Sequence, residues 1–176
     1  PAGEARAMNA GMFRIRSAMP KDVPTIRELV DTYTLDGRLL AKAWVTLYED
    51  VQEFLVAVDP DDRVIGCGAL HVMWEDLAEV RTVATDPEAQ GHGIGSAVVS
   101  ALIERARGLG LQRLFCLTFE TEFFGRLGFR EIEGTPVSHE VFEQLLQSYD
   151  EGIAEMLDLA RVKPNTLGNH RMLLDL

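Results

Sequence analysis

Apolar residues recur along the chain in two alternating rhythms. "FRIRSA", from Phe13, alternates apolar and polar positions and predicts a strand. Val23, Ile26, Leu29 and Val30 then recur at helical spacing, with Asp22 as a cap and Pro24 in the first turn. Gly37 breaks this pattern, and "RLLAKAWVTLYED" predicts a second helix. "VQEFLVAVD" and "RVIGCGALHVMW" predict strands joined by the turn signal "PDD", and "LAEVRTVAT" predicts another. Ile94, Ala97, Val98, Ala101, Leu102 and Arg105 mark a long helix that Gly108 and Gly110 end. "LQRLFCLTF" reads as a buried strand, and "TEFFGRLGF" as a short helix running into a strand at "FREIE". "SHEVFEQLLQSYDEGIAEMLDLA" predicts helix in one or two pieces, and "RMLLDL" a closing strand.

The early strands are joined by short turns, which implies antiparallel pairing. The strand–helix–strand unit in the middle implies one parallel pair with a right-handed crossover. The expected fold class is therefore α/β, a mixed and mostly antiparallel central sheet with helices on both faces. A chain of 176 residues fits one domain, expected over 12–176, behind a flexible leader over 1–11.

Composition narrows the function. The chain is 47% hydrophobic and 26% charged, as in an ordinary globular protein, and no apolar run is long enough to predict a membrane span. The two cysteines, Cys67 and Cys116, lie inside apolar strand-like runs. They read as reduced, buried thiols of a cytoplasmic protein. No Cys/His spacing predicts a metal site. The net charge of −11 argues against nucleic acid as a partner but leaves room for an anionic small molecule.

The candidate chemistry lies in "PEAQGHGIGSAVVSALIERA", which places Gly91, Gly93 and Gly95 at the mouth of the long helix. A glycine-rich turn there points free backbone N–H groups at a ligand, and the helix dipole favours an anion. A Rossmann fingerprint would need glycine where Ser96 stands, and a phosphate-binding P-loop would need Gly-Lys-Ser/Thr; neither is present. The whole segment "VRTVATDPEAQGHGIGSAVVSALIERA" resembles the acetyl-CoA-binding motif of the GNAT acetyltransferases, matched at Val83, Asp86-Pro87, Gln90, Gly93 and Gly95. "FFGRLGF", with Gly128 and Phe129, is similar to a later element of that family.

The resemblance implies the GNAT fold, acetyl-CoA as co-substrate, no metal, and direct acyl transfer from the thioester to an amine. It places the CoA pyrophosphate on the amides of Gln90, Gly91, His92, Gly93, Ile94, Gly95 and Ser96, with Val83, Ala84 and Phe124 also beside the cofactor. An amide near Val83 would polarise the thioester carbonyl. Glu79 stands where several members carry a carboxylate base; its spacing from Arg81 fits an ion pair equally well. Phe124 fills the position at which the family often has a proton-donating tyrosine, which leaves the source of the thiolate's proton open.

"WVTLYEDVQEFLVAV", "LAEVRTVAT" and "KPNTLGNHRMLLDL" further resemble the short, stand-alone branch of the family that acetylates L-glutamate at the start of arginine biosynthesis. A dicarboxylate acceptor needs cations and donors, for which Lys42, Arg81, Thr118, Lys163, Asn165, Asn169 and Arg171 are candidates. Glutamine, another amino acid or a peptide amine is the competing acceptor class, and a non-catalytic acetyl-CoA sensor the competing role. The resemblance also implies a homodimer as the assembly to test for.

Overall fold

The computed structural model describes residues 11–34, 42–157 and 168–176. The expected leader, Gly37 and the start of the second predicted helix, and Lys163 and Asn165 lie wholly or almost wholly outside those residues. The elements run β1 (Arg14–Ser17), α1 (Val23–Thr34), α2 (Trp44–Glu49), β2 (Phe54–Val58), β3 (Val64–Trp74), β4 (Leu77–Thr85) and α3 (Ile94–Gly108). They continue with β5 (Arg113–Thr118), α4 (Thr121–Arg126), β6 (Arg130–Ile132), α5 (His139–Leu145), α6 (Glu151–Met156) and β7 (His170–Asp175). The strands form one seven-stranded sheet in the order β1-β2-β3-β4-β5-β7-β6. Among the described residues only β4 and β5 pair in parallel, and α3 is the crossover between them.

Alternation along the strands sorts the core onto two faces. Leu55, Ala57, Ile65, Ala78, Leu114 and Cys116 pack against α3 through Ile94, Val98, Val99, Leu102, Ile103 and Ala106. The buried stripe of α3 thus includes Val99, Ile103 and Ala106, one step round from the expected Ala97, Ala101 and Arg105, which are half-buried. On the other face, Val56, Val58 and Ala69 pack against Val23, Ile26, Leu29 and Val30 of α1. Further along that face, Leu77 and Phe115 meet Leu145 of α5 and Ile153 and Met156 of α6.

Two local expectations change form. Pro20–Asp22 make a 3-10 turn that runs straight into α1, so Asp22 caps the turn behind it and not the helix ahead. Its carboxylate accepts from the Met19 amide at 2.7 Å and from both terminal nitrogens of Arg16 at 2.7 and 2.9 Å. The Arg16 guanidinium holds the Asp22 carboxyl below its usual range, outweighing the opposing effect of burial. Likewise Val51–Glu53 is a second 3-10 turn, closed by Glu53 N–H to Asp50 O, and the strand predicted from Val51 begins at Phe54.

Candidate active site

The strands β4 and β5 pair from Leu77↔Arg113 to Glu79↔Phe115 and then part. Beyond that point β4 stays on β3, while β5 stays on β7 through Thr118. The cause is a bulge. Cys67 faces Ala84 and Ala69 faces Arg81, so Gly68 alone opposes Thr82 and Val83. A bulge bends its strand and increases the twist, which turns the end of β4 away from β5. Thr82 sits at φ 56°, a strained position for a β-branched residue and a common mark of functional sites.

The parted strands open a cavity of about 570 Å³. Val83 and Ala84 line it from β4, and Thr118 and Phe124 line it from the far wall. Gln90, Gly91, Gly93, Ile94, Gly95 and Ser96 close its end. Gly91 and Gly93 take φ values of 84° and 75°, which side-chain-bearing residues rarely adopt. The first intrahelical bond of α3 runs from Ala97 N–H to Gly93 O, so the amides of Ile94, Gly95 and Ser96 have no partner within the helix. A 15-residue helix therefore presents its positive end and its free amides to the cavity, which fits a pyrophosphate.

Of the predicted cofactor residues, His92 alone does not line the cavity; its ring Nδ1 lies 3.0 Å from Ala89 O and 3.1 Å from Gln90 O. Phe124 is buried edge-to-face between Phe123 and Phe129, at 5.0 and 5.3 Å between centroids. Sequence reasoning missed Tyr33, Phe123 and Arg126, which also line the cavity. The Tyr33 hydroxyl donates to Thr85 O at 2.5 Å and accepts from Gln90 Nε2 at 3.0 Å, tying α1 to the end of β4 and to the glycine loop. Its helical spacing after Val30 gave it only a core signal.

A second, polar cluster lies where β4 faces α6. Glu79 and Arg81 are both buried, with Arg81 Nη2 3.6 Å from Glu79 Oε2. The Arg81 guanidinium forks onto Asp150, with bonds of 2.9 and 2.8 Å. Asp150 also caps α6 by accepting from the Ile153 amide at 3.0 Å. Gly152 lets α6 sit this close: a Cβ there would stand 3.0 Å from Arg81 Cζ and from Glu79 Oε2. Glu79 Oε2, Arg81 Nε and Asn169 Oδ1 are buried without a hydrogen-bond partner among the described residues.

This crowding sets the charges. Burial pushes the Glu79 carboxyl up from its usual range, against the pull of Arg81. Burial alone would weaken Arg81, but Glu79 and Asp150 overcome it and hold the guanidinium protonated. Burial pushes the Asp150 carboxyl up, but the bonds and charge of Arg81, with His71 and the Ile153 amide, together overcome it and hold Asp150 well below the carboxylate range. Burial and the neighbouring Glu79 charge push Glu155 up to about 7, although Asn169 Nδ2 donates to its Oε1 at 3.1 Å. His71 lies between Glu53, which its Nδ1 contacts, and Asp150, which is 3.7 Å from its Nε2.

The predicted acceptor residues are thus only partly gathered. Arg81 and Asn169 belong to the cluster, and Thr118 lines the cavity. Lys42 borders a small pocket with Asp50, Glu53, Arg81 and Thr82. Arg171 donates to three backbone carbonyls, of Gly134 at 3.1 Å, Met156 at 2.6 Å and Glu155 at 3.4 Å, and so clamps the end of α6. Asp150 and Glu155 were not singled out from sequence. The helix-start signal at Asp150 was readable locally, but its grip on Arg81 was not. No group of three or more His, Cys, Asp or Glu suited to a metal is found among the described residues.

Comparison with known proteins follows the same geometry. Residues 23–129 match the model of the acetyltransferase (GNAT) family. An amino-acid acetyltransferase of Mycobacterium tuberculosis is 63% identical over 163 residues, covering 91% of this chain and 92% of that protein. A crystal structure of a Mycobacterium tuberculosis protein in complex with CoA and NLQ superposes with a TM-score of 0.89 at 62% identity, covering 93% of this chain and 99% of that one. The N-acetylglutamate synthase of Neisseria gonorrhoeae, complexed with coenzyme A and N-acetyl-glutamate, superposes with a TM-score of 0.74 at 26% identity. There the match covers 94% of this chain but 35% of the synthase.

Proposed function

The chain belongs to the acetyltransferase (GNAT) family and is an amino-acid acetyltransferase that uses acetyl-CoA, and from that premise we propose that its acceptor is the α-amino group of L-glutamate. It would then be an N-acetylglutamate synthase, at the first step of arginine biosynthesis. One observation carries the acceptor class. In the buried Glu79–Arg81 pair, Glu79 Oε2 lacks a hydrogen-bond donor and Arg81 Nε lacks an acceptor among the described residues. An α-amino acid brings an ammonium for the first and a carboxylate for the second. The Neisseria gonorrhoeae synthase, which shares the fold, supports glutamate as the acceptor.

The residue roles follow. The backbone amides from Gln90 to Ser96 hold the pyrophosphate. The acetyl-CoA thioester supplies the activated acetyl group. The Val83 amide, at the bulge where β4 has parted from β5, would face its carbonyl oxygen as a donor for developing negative charge. Glu79 takes a proton from the acceptor ammonium, a task suited to a carboxyl raised by burial. Arg81 and Asn169 orient the acceptor, Thr118 borders it from the cavity, Lys42 stands beside Arg81, and Arg171 acts indirectly by holding the end of α6. Phe124 has no proton to give, so the leaving thiolate takes its proton from another source.

A second reading, L-glutamine as acceptor, is favoured by charge. Arg81 is already bonded to Asp150, and Glu53, Glu79, Asp150 and Glu155 gather close to it and to Lys42. A neutral side-chain amide meets less repulsion there than a second carboxylate. The test is to mix purified protein with acetyl-CoA and single amino acids, following CoA thiol release and product mass. The glutamate reading expects the highest kcat/KM with glutamate. A glutamine value about tenfold higher, or 1.4 kcal/mol in the transition state, selects the second reading.

A further inference from the structure

This inference rests on the acceptor site proposed above. Acetylating an ammonium group breaks two N–H bonds. One proton ends on the leaving sulfur, and the other must reach solvent. Glu79 is 5% exposed, so a proton that it takes has no direct route to water.

The groups around Glu79 differ in what they can do with that proton. Arg81 stays protonated and offers no acceptor. Asp150 is held anionic by its two bonds from Arg81. Lys42 lies off in the small pocket beside Asp50 and Glu53, and His71 is turned toward Glu53 and Asp150. Glu155 is different. It lies three positions after Gly152 on α6, hence on the face that touches Glu79 Oε2. It is half-buried, so it borders both the cluster and water. Asn169, just ahead of β7, fixes its carboxylate, and Arg171 fixes its helix end through the carbonyls of Glu155 and Met156.

We propose that Glu155 is the proton outlet of the acceptor site, receiving from Glu79 the proton that the ammonium loses and releasing it to solvent. The freed amine nitrogen then forms the N–C bond. The C–S bond breaks with its electron pair on sulfur, and the second nitrogen proton balances the thiol S–H. One proton in all leaves for water. A carboxyl raised to about 7 takes and gives a proton readily at neutral pH. Glu155 acts through Glu79 and does not touch the reacting atoms.

The experiment is a pH profile of kcat and kcat/KM between about pH 5 and pH 9, with the best amino-acid acceptor, for wild type, Glu155→Gln and Asn169→Ala. Acetyl-CoA affinity is measured alongside for each. Wild type should lose activity on the acid side with a midpoint near 7. Glu155→Gln should abolish that limb and lower kcat by about 10-fold or more, with acetyl-CoA affinity retained. Asn169→Ala removes a bond that favours the charged carboxylate, so it should move the limb to higher pH, an effect that a packing role alone does not produce. A limb that persists unshifted in Glu155→Gln, or is absent from wild type, overturns the outlet. If Glu155→Gln does not fold, the wild-type midpoint and its shift in Asn169→Ala decide. Wild type that binds acetyl-CoA but acetylates no amino acid overturns the acceptor assignment, and the outlet with it. Turnover with unshifted limbs overturns the outlet alone.

Discussion

Gly93 caps α3 from a left-handed conformation, with nothing within 4 Å of where a Cβ would stand. Replacing it therefore tests the backbone and the ligand, not packing. Gly93→Val should destabilise the fold by about 1–2 kcal/mol, the cost of placing a side-chain-bearing residue at positive φ. It also sets a branched side chain at the mouth of the proposed pyrophosphate site. Acetyl-CoA Kd, measured by calorimetry, should rise about tenfold or more, beyond what the stability loss explains. The two cysteines make a contrasting prediction. Burial pushes the Cys67 thiol up to about 12 and raises that of Cys116 as well. Neither should react with an alkylating reagent in the native protein, and both should react once it unfolds, which mass spectrometry would show.

At the scale of elements, α6 is the piece that closes over the polar face of β4 and buries Glu79 and Arg81. It is six residues long and too short to be stable alone, so its position is set by Asp150 on Arg81 and by Arg171 on its last carbonyls. Gly152→Ala tests that docking. The change should gain about 0.5–1 kcal/mol in helix propensity. Against that, the new methyl would stand 3.0 Å from Arg81 and Glu79, and overpacking costs about 1–3 kcal/mol. The contact with Arg81 Cζ and Glu79 Oε2 cannot ease without moving the buried pair, so the clash should win. Denaturant unfolding should show net destabilisation, with kcat reduced more than acetyl-CoA affinity.

For the whole molecule, the shifted carboxyls give stability a dependence on pH with opposite signs at the two ends. Glu155 rises from an ordinary 4.5 to about 7 in the fold. The fold favours its neutral form, so its contribution is full below 4.5 and is lost as pH rises through about 7. Asp22 and Asp150 are lowered in the fold, so theirs is present at neutral pH and lost as pH falls through their folded values. Glu155→Gln should therefore be more stable than wild type at about pH 8, a gap that closes toward pH 4.5 in urea titrations. Much of this architecture was legible in the chain, because it is written in short-range patterns. Alternation marked the strands, helical spacing marked α1 and α3, and the cluster Gly91, Gly93, Gly95 marked the helix mouth. These rest on backbone conformation and one-sided burial, which neighbours in sequence already constrain. The bulge at Thr82, the parting of β4 from β5, and the closing of Asp150 and Glu155 over Glu79 and Arg81 were not legible. Asp150 and Arg81 are 69 positions apart, and the pKa of Glu155 depends at once on Glu79 of β4 and on Asn169, 14 positions further on. Sequence by itself determined the fold class and the glycine-rich mouth of α3; tertiary structure alone decided which charges meet, because a carboxyl's proton affinity is set by the neighbours that folding brings to it.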